Sequence, residues 1–301
     1  MTVSEFDFGP EFDGFILEDE PMSRHTTYRI GGPARYFAQV DSISSLTRFI
    51  AYCRDNDIAW VPLGKGSNVL VSDEGFDGAV ITLGPSFSTC SFNRESGIIS
   101  CGCATRLSKV VQEAFRYGRA GYEFAVGTPG TIGGALRMNA GSRTEGLGKR
   151  VLSVVTFHPD KGVKHYGADD IEWGYRTCSI PLDEIMLECK LSTETGNAKM
   201  IQAKMEGALA RRKKTQPLGS PSCGSVFKNP RHGSIGQMIE DVGLKGSICG
   251  GAQISPIHGN FIVNMGNATA SDVVTLINRV RDVIKEEYGM ELSTEVKFLG
   301  F

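Results

Sequence analysis

Two glycine-rich stretches carry the plainest chemical signal in the sequence. Gly64-Lys65-Gly66-Ser67-Asn68 joins two strand-like segments, and Gly127-Thr128-Pro129-Gly130-Thr131-Ile132-Gly133-Gly134-Ala135 is followed by Asn139-Ala140-Gly141-Ser142. Where a Cβ is missing, successive backbone N–H groups can turn inward as an anion-binding concavity, and the chain can lie close against a ligand. Ser67 and Asn68 add side-chain donors. Alone, the first stretch reads equally well as a tight hairpin. It is not a Walker A loop, because no Gly-Lys-Ser/Thr opens a helix, and it is not a G-x-G-x-x-G turn. The second stretch is long and low in charge. Together the two suit a dinucleotide with a pyrophosphate and a planar ring. The run Arg211-Arg212-Lys213-Lys214 is a further cationic feature; on its own it reads as a solvated helix end favoured by the helix dipole.

The elements that must position these residues follow from hydrophobic spacing. Leu46, Phe49, Ile50 and Cys53 recur at helical intervals, with Asn56-Asp57 as a turn. Residues 58–63, 69–72, 80–83 and 97–103 read as strands. Thr105 is placed to cap a helix bearing Leu107, Val110, Val111, Ala114 and Phe115, with Gly118 as its stop. Strand patterns return at 151–158 and 185–191, and the polar stretch 193–197 is the best boundary. A helix is expected over 199–214. Short strands are expected at 225–227, 252–255, 261–264 and 295–299. A second amphipathic helix starts at Thr269 or Ser271, carries Val273, Ile277, Val280 and Ile284, and ends at Gly289. Residues 1–20 look loosely ordered. Helices and strands mix without strict βα alternation, which indicates an α+β fold with antiparallel sheets.

Bulk properties narrow the class. With 301 residues the chain suits roughly two domains of about 150 each. The formal net charge of −2 provides no global field for nucleic acid or acidic lipid. No run approaches about 18 apolar residues, and no signal-peptide pattern precedes the acidic start, so no membrane partner is expected. Glycine is abundant, 37 of 301 residues, against an average usage of roughly 7%. Cys53, Cys90, Cys101, Cys103, Cys178, Cys189, Cys223 and Cys249 include no C-x-x-C pair. They are read as reduced thiols, with no metal site expected.

Arg29-Ile30-Gly31-Gly32-Pro33-Ala34 and the two glycine stretches resemble the FAD-binding domain of the UDP-N-acetylenolpyruvoylglucosamine reductase family, part of the wider vanillyl-alcohol-oxidase (PCMH) type of flavin fold. Gly174-Tyr175-Arg176, Ser222-Cys223-Gly224-Ser225-Val226-Phe227-Lys228-Asn229-Pro230 and Ser293-Thr294-Glu295-Val296-Lys297 match the same family, with Gly243-Leu244-Lys245-Gly246 and His258-Gly259-Asn260-Phe261 in support. The resemblance spans about residues 24–300. It implies an N-terminal extension at 1–23, a two-lobed FAD-binding domain at 24–197 and an α+β substrate-binding domain at 198–301. It also implies a cytoplasmic, monomeric enzyme of cell-wall precursor synthesis. Such an enzyme uses NADPH to reduce UDP-N-acetyl-3-O-(1-carboxyvinyl)-glucosamine to UDP-N-acetylmuramate. Gly64, Lys65, Gly66, Ser67, Asn68, Gly127, Thr128, Pro129, Gly130, Thr131, Gly133, Gly134, Asn139 and Gly141 are the implied FAD contacts. None of His25, His158, His165, His232 and His258 lies in the glycine stretches, so non-covalent FAD is expected.

The resemblance assigns Ser225 as proton donor, assisted by Arg176 and Glu295. The chemistry agrees. Hydride addition to a conjugated enol ether places negative charge on the adjacent carbon and its carboxylate, which a planar guanidinium matches. An ionised Glu295 cannot do the same, so it is expected protonated, or acting through a hydrogen-bonded partner, with its pKa raised by burial. A serine needs a strongly basic acceptor and a stabilised alkoxide, for which Lys228 is a candidate. Tyr175, either Lys213 or Lys214 (for the diphosphate) and Asn229 are implied substrate contacts. Out of context, Ser225 reads as a strand or turn serine, Arg176 as a surface ion-pair residue, and Glu295 as the solvent face of a strand. Two departures stand out: Arg143 follows Asn139-Ala140-Gly141-Ser142 where many relatives have a tyrosine, and the 176–188 connection lacks the tyrosine-bearing insertion of one branch. An FAD-dependent oxidase of the wider fold and a non-catalytic UDP-sugar or flavin binder are the alternatives.

Overall fold

The computed structural model describes residues 11–301. Residues 1–10 of the expected extension lie outside the described residues. Two compact units form, and both are discontinuous in sequence. Of the described residues, the first comprises 11–18, Tyr36–Gly64 and Gly78–Ala210; the second comprises Asp19–Arg35, Lys65–Asp77 and Arg211–Phe301. The sequence reading divided the chain linearly. The observed units interleave, with the 65–77 segment inside the second unit and the residues on either side of it, 36–64 and 78–210, in the first.

The first unit holds two apolar cores. Helix α1 (Ile43–Asp55) buries Leu46, Phe49, Ile50 and Cys53, the spacing of one helical face, and Ser42 caps it by accepting from Ser45 N. It packs with Tyr36, Ala38, Val40, Ala79 and Ile81. These belong to a sheet ordered Gly14–Pro21, Pro33–Val40, Phe76–Leu83, Trp60–Pro62. Gly14–Pro21 corrects the expectation of a loose start: its buried positions include Ile16 but also Glu20, whose charge is met by His25 and Arg24, so the strand carries little apolar alternation. The second core lies on a five-stranded antiparallel sheet ordered Gly162–Gly167, Val151–His158, Ile185–Ser192, Ile98–Gly102, Cys90–Asn93. Helix α2 (Leu107–Arg116) buries Leu107, Val110, Val111 and Ala114 against it. Its N-cap is Arg106 rather than Thr105, whose hydroxyl donates to Thr89 O at 2.8 Å. Cys101 and Cys189 face each other across two strands, Sγ to Sγ 3.5 Å, and serve as small apolar residues.

Helix α3 (Ile132–Arg137) follows the second glycine stretch, and its Arg137 ties it to the carbonyls of Ile180 and Glu184 (2.5 and 2.7 Å). The Glu184 carboxylate is 1% exposed and accepts from Thr156 Oγ1, Lys164 and Tyr166. Burial raises its pKa, but the hydrogen bonds from Lys164, Thr156 and Tyr166 and the charge of Lys164 outweigh burial and hold it below the usual carboxylate value. Helix α4 (Ala198–Thr215) is mostly solvent-exposed; Ile201 is its one buried residue.

In the second unit, α5 (Ile235–Asp241) and α6 (Ala270–Tyr288) pack on the antiparallel strands Ile248–Cys249, Ala252–Ile254 and Ile262–Asn264. Thr269 and Asp272 form a reciprocal cap on α6, Asp73 accepts from its Ala270 and Ser271 N–H groups, and Gly289 ends it in the left-handed region. Two differences from expectation matter. Val69–Val71 and Lys297–Leu299 pair in parallel, as do Trp60–Pro62 and Phe76–Leu83, so the sheets are not all antiparallel. Residues 225–227 do not form a strand; a single bridge joins Phe227 to Thr294.

The depressed pKa of Glu184 sets a pH dependence. Its contribution to stability is present above the ordinary carboxylate value and is lost as pH falls through its own lower one. Urea unfolding should therefore give Glu184→Gln a deficit of about 1–3 kcal/mol at pH 7, the scale of hydrogen bonds to a charged group. That deficit should shrink toward pH 3. A deficit that persists unchanged at pH 3 would contradict the assignment.

Candidate active site

The first glycine stretch is not a hairpin. Trp60–Pro62 before it pairs with Phe76–Leu83, whereas Val69–Val71 after it pairs with Lys297–Leu299. Among the described residues, none of the backbone N–H groups of 64–68 finds an acceptor, although Gly66 is buried. Its carbonyls are engaged instead: Gly66 O accepts from Thr27 N (3.1 Å) and Asn68 O from Lys297 N (3.0 Å). Donors left uncommitted on a fixed loop are what an anionic ligand requires. Gly66 has φ +57°, and a Cβ there would lie 2.3 Å from His25 O, so no other residue fits without moving the backbone. A Cβ on Gly64 would lie 2.6 Å from Thr131 Oγ1.

In the second stretch the N–H groups of Gly127, Gly130 and Thr131 are likewise uncommitted among the described residues. Those of Ile132, Gly133 and Gly134 are not: they donate to Thr105 O (2.8 Å), Cys103 O (2.9 Å) and Thr131 Oγ1 (3.3 Å). The donors for an anion in this stretch therefore belong to the loop, and the start of α3 is closed. Gly134 departs from the pattern, since a Cβ there would meet only ordinary contact. No charged side chain occurs in 126–136, which suits a flat, largely apolar ring.

Also within the first unit, Tyr175 and Arg176 form the two-residue turn between Trp173–Gly174 and Thr177–Cys178. Arg176 has φ +61°, a conformation costing a non-glycine residue about 1 kcal/mol or more. Three alternate residues of the 139–143 loop hold this turn. Asn139 Nδ2 donates to Gly174 O (2.9 Å), Gly141 O accepts from the Arg176 guanidinium, and Arg143 lies over the Tyr175 ring, Cζ to centroid 3.9 Å. Asn139 Oδ1 also accepts from Gly148 N (2.9 Å), anchoring the loop at its base. Asn139 and Gly141, expected as cofactor contacts, are thus joined to the arginine that was expected to meet substrate.

In the second unit Ser225 and Glu295 are on adjoining strips of backbone. Glu295 N donates to Val226 O (2.7 Å) and Lys228 N to Ser293 O (3.0 Å). The opposite edge is supplied by one side chain: Asn260 Oδ1 accepts from Phe227 N (2.9 Å) and its Nδ2 donates to Phe227 O (2.8 Å). Asn260 O accepts from Val226 N, and Asn260 N donates to His258 Nδ1 (3.1 Å), an imidazole whose pKa is lowered by burial. Two further residues link this strip to the 64–68 loop. Thr27 donates through N to Gly66 O and through Oγ1 to Ser222 O (2.7 Å), and Asn68 Nδ2 donates to Glu295 O (3.0 Å). Ser225, Lys228 and Glu295 are all half-buried. Cys223 is not reactive: burial pushes its thiol up to about 12.

The remaining expected contacts are placed as follows. Asn229 Oδ1 accepts from Ile235 N at the start of α5 (3.0 Å). Lys213 and Lys214 are exposed on the last turn of α4, while Arg212 beside them is half-buried, its pKa lowered by burial and then by Arg211. Sequence reading missed Thr27 and the role of Asn260. Asn260 carried one usable signal, an amide within His258-Gly259-Asn260-Phe261, but its partner is backbone 33 residues away. No helix among the described residues is long and apolar enough to cross a membrane, and no cluster of three or more His, Cys, Asp or Glu there is arranged for a metal.

Replacing Asn260 by Ala should strand both backbone groups of buried Phe227 and cost about 2–4 kcal/mol in urea unfolding. A loss below about 0.5 kcal/mol, the ordinary surface value, would show that the strip does not depend on it.

The C-terminal domain of UDP-N-acetylenolpyruvoylglucosamine reductase matches residues 216–299, and an FAD binding domain matches 34–162. The UDP-N-acetylenolpyruvoylglucosamine reductase of Heliobacterium modesticaldum is 40% identical over 292 residues, 96% of this chain and 92% of that one. That of Halalkalibacterium halodurans is 38% identical over 288 residues, 95% of each. The crystal structure of the reductase from Thermus caldophilus has 34% identity and a TM-score of 0.81, covering 96% of this chain and 99% of the other. A chain with a matching FAD-binding domain, a matching C-terminal domain and relatives this close over nearly its whole length belongs to the UDP-N-acetylenolpyruvoylglucosamine reductase family.

Proposed function

We propose that this protein binds FAD non-covalently and uses NADPH to reduce UDP-N-acetyl-3-O-(1-carboxyvinyl)-glucosamine to UDP-N-acetylmuramate. The reaction serves peptidoglycan precursor synthesis in the cytoplasm, and through it cell shape and division; the protein acts as a monomer. The observation that carries the reading is the hydrogen-bonded frame of the second unit, in which Thr27 and Asn68 join the 64–68 loop to the strips bearing Ser225 and Glu295. A loop with uncommitted donors and a hydroxyl–carboxyl pair, built as one piece, suits redox chemistry completed by protonation.

Residues 64–68 and 127–131 would hold the cofactor, the first at the pyrophosphate. Segment 24–197 would serve FAD, and 198–301 the nucleotide sugar. Bound FAD supplies the two-electron carrier between NADPH and the enolpyruvyl double bond. The protein's own task is to hold the substrate carboxylate and deliver a proton. Arg176 offers a planar fork to the carboxylate as negative charge spreads into it. Ser225 Oγ gives its proton to the carbon beside the carboxylate, and Lys228 steadies the alkoxide left behind. Glu295 assists at the same stage. Tyr175 and Asn229, with Lys213 or Lys214 at the diphosphate, complete the substrate contacts.

Anaerobic stopped-flow mixing separates the two halves of the reaction. Ser225→Ala should accept electrons from NADPH at the unaltered rate, yet pass them to the enolpyruvyl nucleotide at least 100-fold more slowly, the low end of a general acid's usual contribution of roughly 10²–10⁴. Normal turnover by this variant would remove Ser225 as proton donor. Gly66→Ala should emerge from purification with most of its yellow colour gone; full flavin content would show that the loop does not form the cradle. Unaltered wild-type protein that stays colourless when mixed with FAD would defeat the whole reading.

A further inference from the structure

Arg143 occupies an exposed loop position, and nothing in the reaction as described uses it. Its guanidinium nevertheless lies closer to the Tyr175 ring (3.9 Å) than that of Arg176 does (5.1 Å). A long, flexible cation on the surface loses rotamer freedom when it settles on a ring, so the contact must return free energy to persist. The ring it covers belongs to the residue immediately before Arg176, in a turn of only two residues, and Arg176 itself sits at positive φ. The loop bearing Arg143 also receives the Arg176 guanidinium through Gly141 O.

We infer that Arg143 is a positioning residue for Arg176, acting through the ring of Tyr175. This inference rests on the function proposed above. Gly141 O fixes one end of the Arg176 guanidinium. The Tyr175 ring faces its guanidinium carbon, and Arg143 keeps that ring from swinging out of the turn. Removing either member of the Arg143–Tyr175 pair frees the same motion, so the two should not act independently. An arginine performs here the covering role for which a second aromatic ring would also serve, because either presents a flat, polarisable face to Tyr175.

A double-mutant cycle of Arg143→Ala and Tyr175→Leu tests this. Flavin reduction by NADPH should be unchanged in Arg143→Ala. Electron transfer to the enolpyruvyl nucleotide should slow about two- to fivefold in that variant, the scale of an exposed cation–π contact. Adding Arg143→Ala to Tyr175→Leu should produce no further loss, and Arg143→Tyr should restore the rate. A second readout needs no turnover: the Arg176 side-chain NεH signal, assigned with Arg176→Lys, should shift and narrow alike in Arg143→Ala and Tyr175→Leu. Multiplying effects in the double variant, equal slowing of flavin reduction, or an Arg176 signal indifferent to Arg143 would each overturn the inference. A wild-type enzyme that cannot pass electrons to the nucleotide would instead sink the functional reading, leaving the NMR comparison to judge the clamp.

Discussion

A strip of backbone is held rigid by the strands beside it, yet residues 225–228 are not part of a strand. One side chain resolves this. The Asn260 amide offers one donor and one acceptor in the same plane, which is the pattern an adjacent strand would present to Phe227. The other edge is closed by residues 293–295, and Ser225 and Glu295 become neighbours because of that register. They are carried there by the chain around them.

The glycine loops show the complementary arrangement. In 64–68 the carbonyls are held and the N–H groups are left uncommitted, so the loop is rigid while its donors remain available. In 127–134 the boundary is sharper still. Among the described residues the N–H groups of Gly127, Gly130 and Thr131 are uncommitted, that of Thr128 donates to Ala125 O, and those of Ile132, Gly133 and Gly134 are taken by the 103–105 segment and by Thr131 itself. An anion is thereby directed to the loop, although a helix start lies beside it. Thr27 and Asn68 show the economy of the second unit: two short polar side chains join the 64–68 loop to the strips that bear Ser225 and Glu295.

Much of the fold could be read from spacing. The buried faces of α1, α2 and α6 coincide with their apolar periodicity, and Thr269 and Gly289 mark the ends of α6. Readings failed where a side chain took over a backbone role or a charge hid a strand. Thr105 turns to Thr89 instead of capping α2, Glu20 sits buried in Gly14–Pro21, and Asn260 stands in for the strand that 225–227 seemed to need. Ser225, Arg176 and Glu295 were identifiable only through family resemblance, since nothing in their spacing marks them. Their supports, Thr27, Asn68 and Gly141, act through contacts between residues far apart in sequence, which no local pattern reveals.

The parallel pairing of Val69–Val71 with Lys297–Leu299 has a consequence for how the protein comes into being. Parallel strands joined by so long an excursion close a large loop, and closure entropy must be overcome before the contact returns anything. During synthesis the segment after the 64–68 loop waits, its ladder partner absent, until residue 299 has left the ribosome. The first unit has all its strands far earlier. The order of maturation is therefore set in advance: the segment that follows the 64–68 loop gains its ladder partner last, and a chain cut short by a few residues near 297 would leave it unpaired.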